Sequence, residues 1–322
     1  MQETSERVES NIRERKRRGY AAYLLLVLLL PLVCLLLAFP IARSQRFLEV
    51  SRRPLWHATD YRFSDEMRNC EVVIVGDSSG MIGVDPHVVE ARTGWKTCNL
   101  AVPYMVTAVA GTSILDHYLA ENPPPRFIVF HFSSTHLRAP ALDEENGVID
   151  AWLAADERFT PLQATSLFLR HPKDSLYFAA ELWRQFLSTN QMLRPDWSGQ
   201  TYARDVAAQR AHHGWMAQPG TAWDVVCGWQ PPSVEVDRGY LDRLIARYSK
   251  PGTQVVIWEN PSRACDTHIE QYRADDRALG LPPPQVYPIG EFADAFHLNT
   301  VGAARNSEAL AVAMLERSGK TR

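Results

Sequence analysis

Two short blocks at opposite ends of the chain carry residue types suited to acyl chemistry. The first is Gly76-Asp77-Ser78-Ser79 and the second is Asp294-Ala295-Phe296-His297. A serine hydroxyl is a poor nucleophile until a base takes its proton, and the base needs a third group to hold its tautomer. Ser78, His297 and Asp294 are the candidates for those three parts. Three positions apart on one loop, Asp294 can accept from the His297 ring nitrogen turned away from Ser78. Each block alone has a plainer reading: a polar loop for the first, and a helix-capping or core histidine beside a loop acid for the second. Their joint occurrence argues for catalysis. Asp77 reads as a residue that orients the Ser78 loop through backbone hydrogen bonds.

Positioning such residues takes strands that end where the chemistry starts. Glu71 to Val75 is rich in valine and isoleucine, as a buried parallel strand would be, and it stops at Gly76. Ser78 therefore follows a strand's carboxyl end, where open α/β sheets bind ligands. Asp85 and Pro86 open a short helix that Gly94 closes. Further strands are expected at 95–101, 126–132, 254–258 and near 285–287. Helices are expected at 104–122, around 241–248, at 268–279 and at 301–315. Strands alternating with helices predict an α/β, three-layer, doubly wound domain with a five-stranded parallel sheet over residues 70–138 and 236–318. Residues 139–235 break that rhythm. They read as a mainly helical insert, rich in tryptophan, over the sheet's catalytic edge.

The two blocks together resemble the SGNH (GDSL-type) hydrolase superfamily, in which the first block carries the nucleophile and a terminal D-x-x-H carries acid and base. The resemblance spans roughly residues 70 to 315 and implies Ser78, Asp294 and His297 as the catalytic set. It also implies oxyanion donors: the N–H of Ser78 or Ser79, and that of Ala101, which follows Asn99-Leu100 where the superfamily has a glycine. The superfamily places an asparagine after its third strand, whereas this chain has Ser133 and Ser134 after His131. A side chain near Ser133 is the weaker third donor. The segments GDSS, CNLAVP and HLNTVGA look like those of membrane-anchored SGNH-like proteins that partner membrane-bound O-acyltransferases, including the teichoic acid D-alanyl transfer type. This implies acylation or deacylation of a cell-envelope polysaccharide. The alternative is a non-catalytic protein of the same fold that binds glycan or scaffolds an export complex.

Composition supports the setting. With 34 basic and 37 acidic side chains the chain has no basic field for nucleic acid, so that class is set aside. Residues 1–19 end in Arg13, Arg15, Lys16, Arg17 and Arg18, and no charged residue occurs from Tyr20 to Ala42. Such a run matches the ~20 apolar residues needed to cross a bilayer, and the basic cluster before it puts the N-terminus in the cytoplasm. The expectation is a signal anchor at 20–42, a juxtamembrane connector at 43–69, and a periplasmic or other extracytoplasmic domain; a cleaved signal peptide is the competing reading. Beyond Cys34 lie Cys70, Cys98, Cys227 and Cys265, an even set in a compartment that permits disulfides, with Cys227–Cys265 the first pairing expected. No cysteine and histidine spacing resembles a zinc site, and no cofactor is expected.

Overall fold

The computed structural model describes residues 67–101, 114–134, 207–220 and 238–319, a helical stretch at 16–27, and isolated positions elsewhere. Strands β1 (Val72–Gly76), β2 (Thr97–Asn99), β3 (Phe127–Phe132) and β4 (Gln254–Glu259) form one parallel sheet in the order β2-β1-β3-β4. Between and after them run α1 (Ser78–Gly83), α2 (Pro86–Thr93), α3 (Ile114–Glu121), α4 (Arg238–Tyr248), α5 (Ile269–Leu279) and α6 (Thr300–Arg317).

The side-chain period of two along the strands explains the layering. Val72, Ile74, Phe127 and Val129 point to one face, where Val89 of α2 and Leu310, Ala311 and Met314 of α6 cover them. Val73, Val75, Ile128 and Phe130 point to the other, against Leu115 and Tyr118 of α3 and Leu241, Leu244 and Tyr248 of α4. Helices on both faces make the three-layer α/β arrangement. Buried on both sides, β1 and β3 have no exposed residue along their length, which is why their sequences read as continuous apolar runs.

The expected five-stranded sheet is corrected to four strands among the described residues. The segment near 285–287 forms β6 (Val286–Tyr287), which pairs in parallel with β5 (Ser262–Arg263) as a separate two-residue ladder. Prolines explain its brevity: Pro284 and Pro288 bracket β6 and cannot donate to a ladder.

Local signals hold where the chemistry is local. Asp85 caps α2 by accepting from the His87 N–H at 2.9 Å, and Gly94 closes it in the left-handed conformation. The helix expected at 301–315 runs over Thr300–Arg317, capped by Asn299. The helix expected at 104–122 is described only as α3, because 102–113 lie outside the described residues. So do most of the connector and of the insert, and much of the 20–42 run. Among the described residues no helix is long and apolar enough to cross a membrane. The described part of that run, Tyr20 to Val27, is helical and exposes its apolar side chains. Two disulfides close the fold: Cys70–Cys98 joins the approach to β1 with β2, and Cys227–Cys265 ties the insert to the loop after β5.

Strand β1 must end in glycine. Gly76 has φ 148°, and a Cβ there would run into the backbone carbonyl of His131 on the paired strand. Gly76→Ala is therefore expected to destabilise the domain by more than the ~1 kcal/mol typical of point mutants, because neither backbone can retreat inside a parallel ladder. Chemical denaturation of the variant beside wild type reads this. An unchanged midpoint would contradict the packing described.

Candidate active site

The sheet order reverses direction at β1, whose neighbours β2 and β3 receive the chain by crossovers on opposite faces. A crevice opens at such a switch point beyond the strands' carboxyl ends. Gly76 of β1 is in register with His131 of β3, so the loops that carry Ser78 and Ser133 leave the sheet side by side. Ser78 is the first residue of α1, half-buried, with Asp77 as N-cap.

The second block reaches this point from the far end of the chain. Residues 292–298 fold back on themselves through a bridge between Phe292 and Leu298 and an Ala293 N–H to His297 carbonyl bond of 2.8 Å. Within the turn Asp294 Oδ1 accepts the N–H groups of Phe296 and His297, each at 2.8 Å, the local bonding aspartate offers a turn. Its Oδ2 lies 2.8 Å from His297 Nδ1, and His297 Nε2 lies 2.8 Å from Ser78 Oγ. Burial raises the Asp294 pKa, but the hydrogen bonds from the His297 ring and the Phe296 and His297 backbones, with the nearby imidazole charge, outweigh it and hold the value at about 2. An ionised carboxylate only accepts, so Nδ1 carries the proton and the Nε2 lone pair faces the Ser78 hydroxyl. The geometry thus allows proton transfer from Ser78 to His297.

Beneath Ser78 runs a buried polar chain whose proton positions follow from donor chemistry. Trp258 Nε1–H, which can only donate, gives its hydrogen to Asn306 Oδ1 at 2.9 Å. This turns Asn306 Nδ2 toward the Gly83 carbonyl at 2.9 Å and His131 Nε2 at 3.1 Å, so Nε2 is the acceptor. His131 Nδ1–H then faces Ser79 Oγ at 3.3 Å, and that hydroxyl donates to Asp77 Oδ1 at 2.5 Å. Asp77 also accepts the Ser79 N–H at 2.8 Å and, on Oδ2, the Ser133 N–H at 2.9 Å. Full burial drives the His131 pKa down to about 4, against the upward pull of the Asp77 charge, so it is a neutral spacer. Asp77 thereby clamps the loops after β1 and β3 together at the crevice.

That chain revises the expected oxyanion donors. The Ser79 N–H and hydroxyl both engage Asp77. Ala101 N–H donates to Asn99 Oδ1 at 3.0 Å, while Asn99 Nδ2 donates to the carbonyls of Gly80 and Val84 at 2.9 and 3.0 Å. Asn99 and Ala101 are both fully buried and brace α1 from below. Ala101 does not adopt a positive φ. The Ser78 N–H, at the first position of α1, stands outside the intrahelical ladder and is the best placed of the expected donors.

Asn260, directly after β4, adds a further part. Its Nδ2 donates to the Phe296 carbonyl at 3.0 Å and so steadies the turn that carries His297. It also lines a cleft beside that turn, with Ser133, Ser134, Arg263, Tyr272 and Phe296 around it. Arg263 there is neutralised by Asp266 at 2.6 Å. His131 left a weaker signal, a polar residue inside the otherwise apolar run of β3.

Comparison of the chain with models of known protein families, with curated proteins and with solved structures found no match. The functional reading therefore rests on the residues and their geometry.

Proposed function

We propose that the protein is a serine-dependent acyl-transfer enzyme of SGNH type that acts outside the cytoplasm on an envelope polysaccharide. The observation that carries this reading is the Ser78–His297–Asp294 line, with both contacts at 2.8 Å, at the sheet's switch point. In the forward step Ser78 Oγ bonds to the acyl carbonyl carbon while its proton passes to His297 Nε2. Collapse of the tetrahedral species breaks the bond to the leaving oxygen, which takes the proton from His297, and the acyl group stays as an ester on Ser78. An acceptor hydroxyl then repeats the sequence: its proton goes to His297, its oxygen takes the acyl group, and Ser78 recovers its proton. Water as acceptor gives hydrolysis, and a sugar hydroxyl gives transfer.

The setting is supported by the uncharged run from Tyr20 to Ala42 behind a basic cluster, and by two disulfides in the domain that follows. A membrane anchor would hold the site at the bilayer surface, where a membrane-bound O-acyltransferase can hand over an acyl group. One observation favours a second reading, a non-catalytic glycan-binding or scaffold protein of the same fold: the N–H groups of Ser79, Ala101 and Ser133 all serve the frame. Envelope polysaccharide acylation in a strain carrying Ser78→Ala separates the two. The enzymatic reading expects ester content to change from the wild-type level, whereas unchanged esters with intact export favour the scaffold.

A further inference from the structure

Away from Ser78, on α2, His87 and Glu90 stand three residues apart and so share one side of the helix. The turn after the helical residues 207–211 brings His213 to the same place. Glu90 Oε1 is 3.3 Å from His213 Nδ1, Glu90 Oε2 is 3.7 Å from His87 Nδ1, and one donor atom from each residue lies within 4.8 Å of the others. Donors bound to one tetrahedral ion at ~2.0–2.1 Å sit roughly 3.3 Å apart, so both Glu90 separations approach the spacing of a shared ion.

The tautomers agree. His87 Nε2 lies 2.7 Å from the Ala211 carbonyl, which can only accept, so Nε2 carries the hydrogen and the Nδ1 lone pair faces Glu90. A hydrogen bond from the second ring nitrogen to a carbonyl is what metal-bound histidines commonly make. His213 Nδ1 is buried without a hydrogen-bond partner, despite its nearness to the carboxylate. His213 also sits at φ 47°, a conformation that an ordinary residue keeps only when its surroundings impose it. Here the Asn99 N–H holds the His213 carbonyl at 2.9 Å, and the next residue must be Gly214 because a Cβ would strike the Asn99 carbonyl. The neighbouring His212 packs edge-on against both Trp215 and His87.

We propose that His87, Glu90 and His213 bind one divalent transition-metal ion of the Zn²⁺ class, with water completing the coordination. Two imidazoles and one carboxylate suit such a borderline ion better than Mg²⁺ or Ca²⁺, which take oxygen ligands. The ion fastens the 207–216 segment to α2. From there the Trp215 Nε1–H reaches the Ile82 carbonyl at 2.6 Å and the Met216 N–H reaches the Met81 carbonyl at 3.1 Å, so the fastening extends to the helix that begins with Ser78. The role is structural and independent of the acyl chemistry.

The test uses the full chain, purified in detergent and stripped with a chelator. Zn²⁺ titrated against a chromophoric competitor is expected to bind with one equivalent, undisturbed by millimolar Mg²⁺, and to raise the melting temperature. Glu90→Gln, and His213→Asn, which tolerates the left-handed backbone, are each expected to weaken Zn²⁺ binding by about 100-fold or more. X-ray absorption at the zinc edge of the wild-type chain reads the ligands without any variant, and two imidazoles with oxygen donors are expected. Absence of stoichiometric binding, sulfur or three or more imidazoles in the shell, or undiminished affinity in both variants overturns the proposal; in that case the cluster is a histidine–glutamate ion pair.

Discussion

Ser78→Ala is expected to abolish labelling of the chain by a serine-directed phosphonate and to lower acyl transfer by roughly 10⁴-fold or more. The expectation follows from the 2.8 Å contact with His297, since no other hydroxyl among the described residues stands against that imidazole. His297→Ala should cost a comparable factor. The double variant should be little worse than either, because a nucleophile without its base, or a base without its nucleophile, is already idle. Asp294→Asn presents a different outcome. The amide can hold the ring by donating to Nδ1, which turns the hydrogen onto Nε2 and removes the lone pair facing Ser78, a change worth about 10⁴-fold in comparable sites. Labelling rates of the four proteins, measured with circular dichroism to verify folding, decide the matter. Undiminished labelling of Ser78→Ala would move the nucleophile elsewhere.

Stability should fall as pH drops from about 6.5 toward 4, and His131 should be the cause. Its folded pKa of about 4 lies below the 6.5 of an unperturbed imidazole because burial penalises the charged ring more than Asp77 favours it. Between those values the unfolded chain binds a proton that the folded chain refuses, so stability is fully present above the unfolded pKa and drains away as acid is added. At ~1.4 kcal/mol per pH unit the loss across this window is on the order of 3 kcal/mol. A phenylalanine at His131 would break the links to Ser79 and Asn306, so His131→Phe should be less stable at pH 7 yet flatter across the window. Denaturation midpoints of wild type and variant from pH 4 to 7 test it, and parallel slopes would refute the assignment. Asp294 cannot produce the effect, because its depressed pKa of about 2 places its own loss of stability below pH 3.8.

Both predictions involve residues whose visibility in the sequence differed. Ser78, Asp294 and His297 stood out because each sits in a short block, and the turn that joins Asp294 to His297 is bonded within four residues. The caps at Asp85 and Asn299 and the apolar runs of β1 and β3 were legible for the same reason: hydrogen-bond capping and strand burial act over a few neighbours. The extent of the sheet was not legible. Whether Val286–Tyr287 extends it or pairs elsewhere depends on where two prolines and a helix leave that segment.

The sequence by itself determined the continuous apolar runs of the strands, the helix caps, the residue types available for acyl chemistry, and an even set of cysteines after the first apolar run. Only the tertiary structure decided what those residues touch. It committed the N–H groups of Ser79, Ala101 and Ser133 to the frame, and ordered Trp258, Asn306, His131, Ser79 and Asp77 into one directed chain. It also set His213 against His87 and Glu90. The physical reason is range. A cap or a strand face is settled within one turn or a few residues of chain, whereas a buried hydroxyl or imidazole finds its partner across fifty to two hundred residues, and its proton goes where the last donor-only group in the chain sends it.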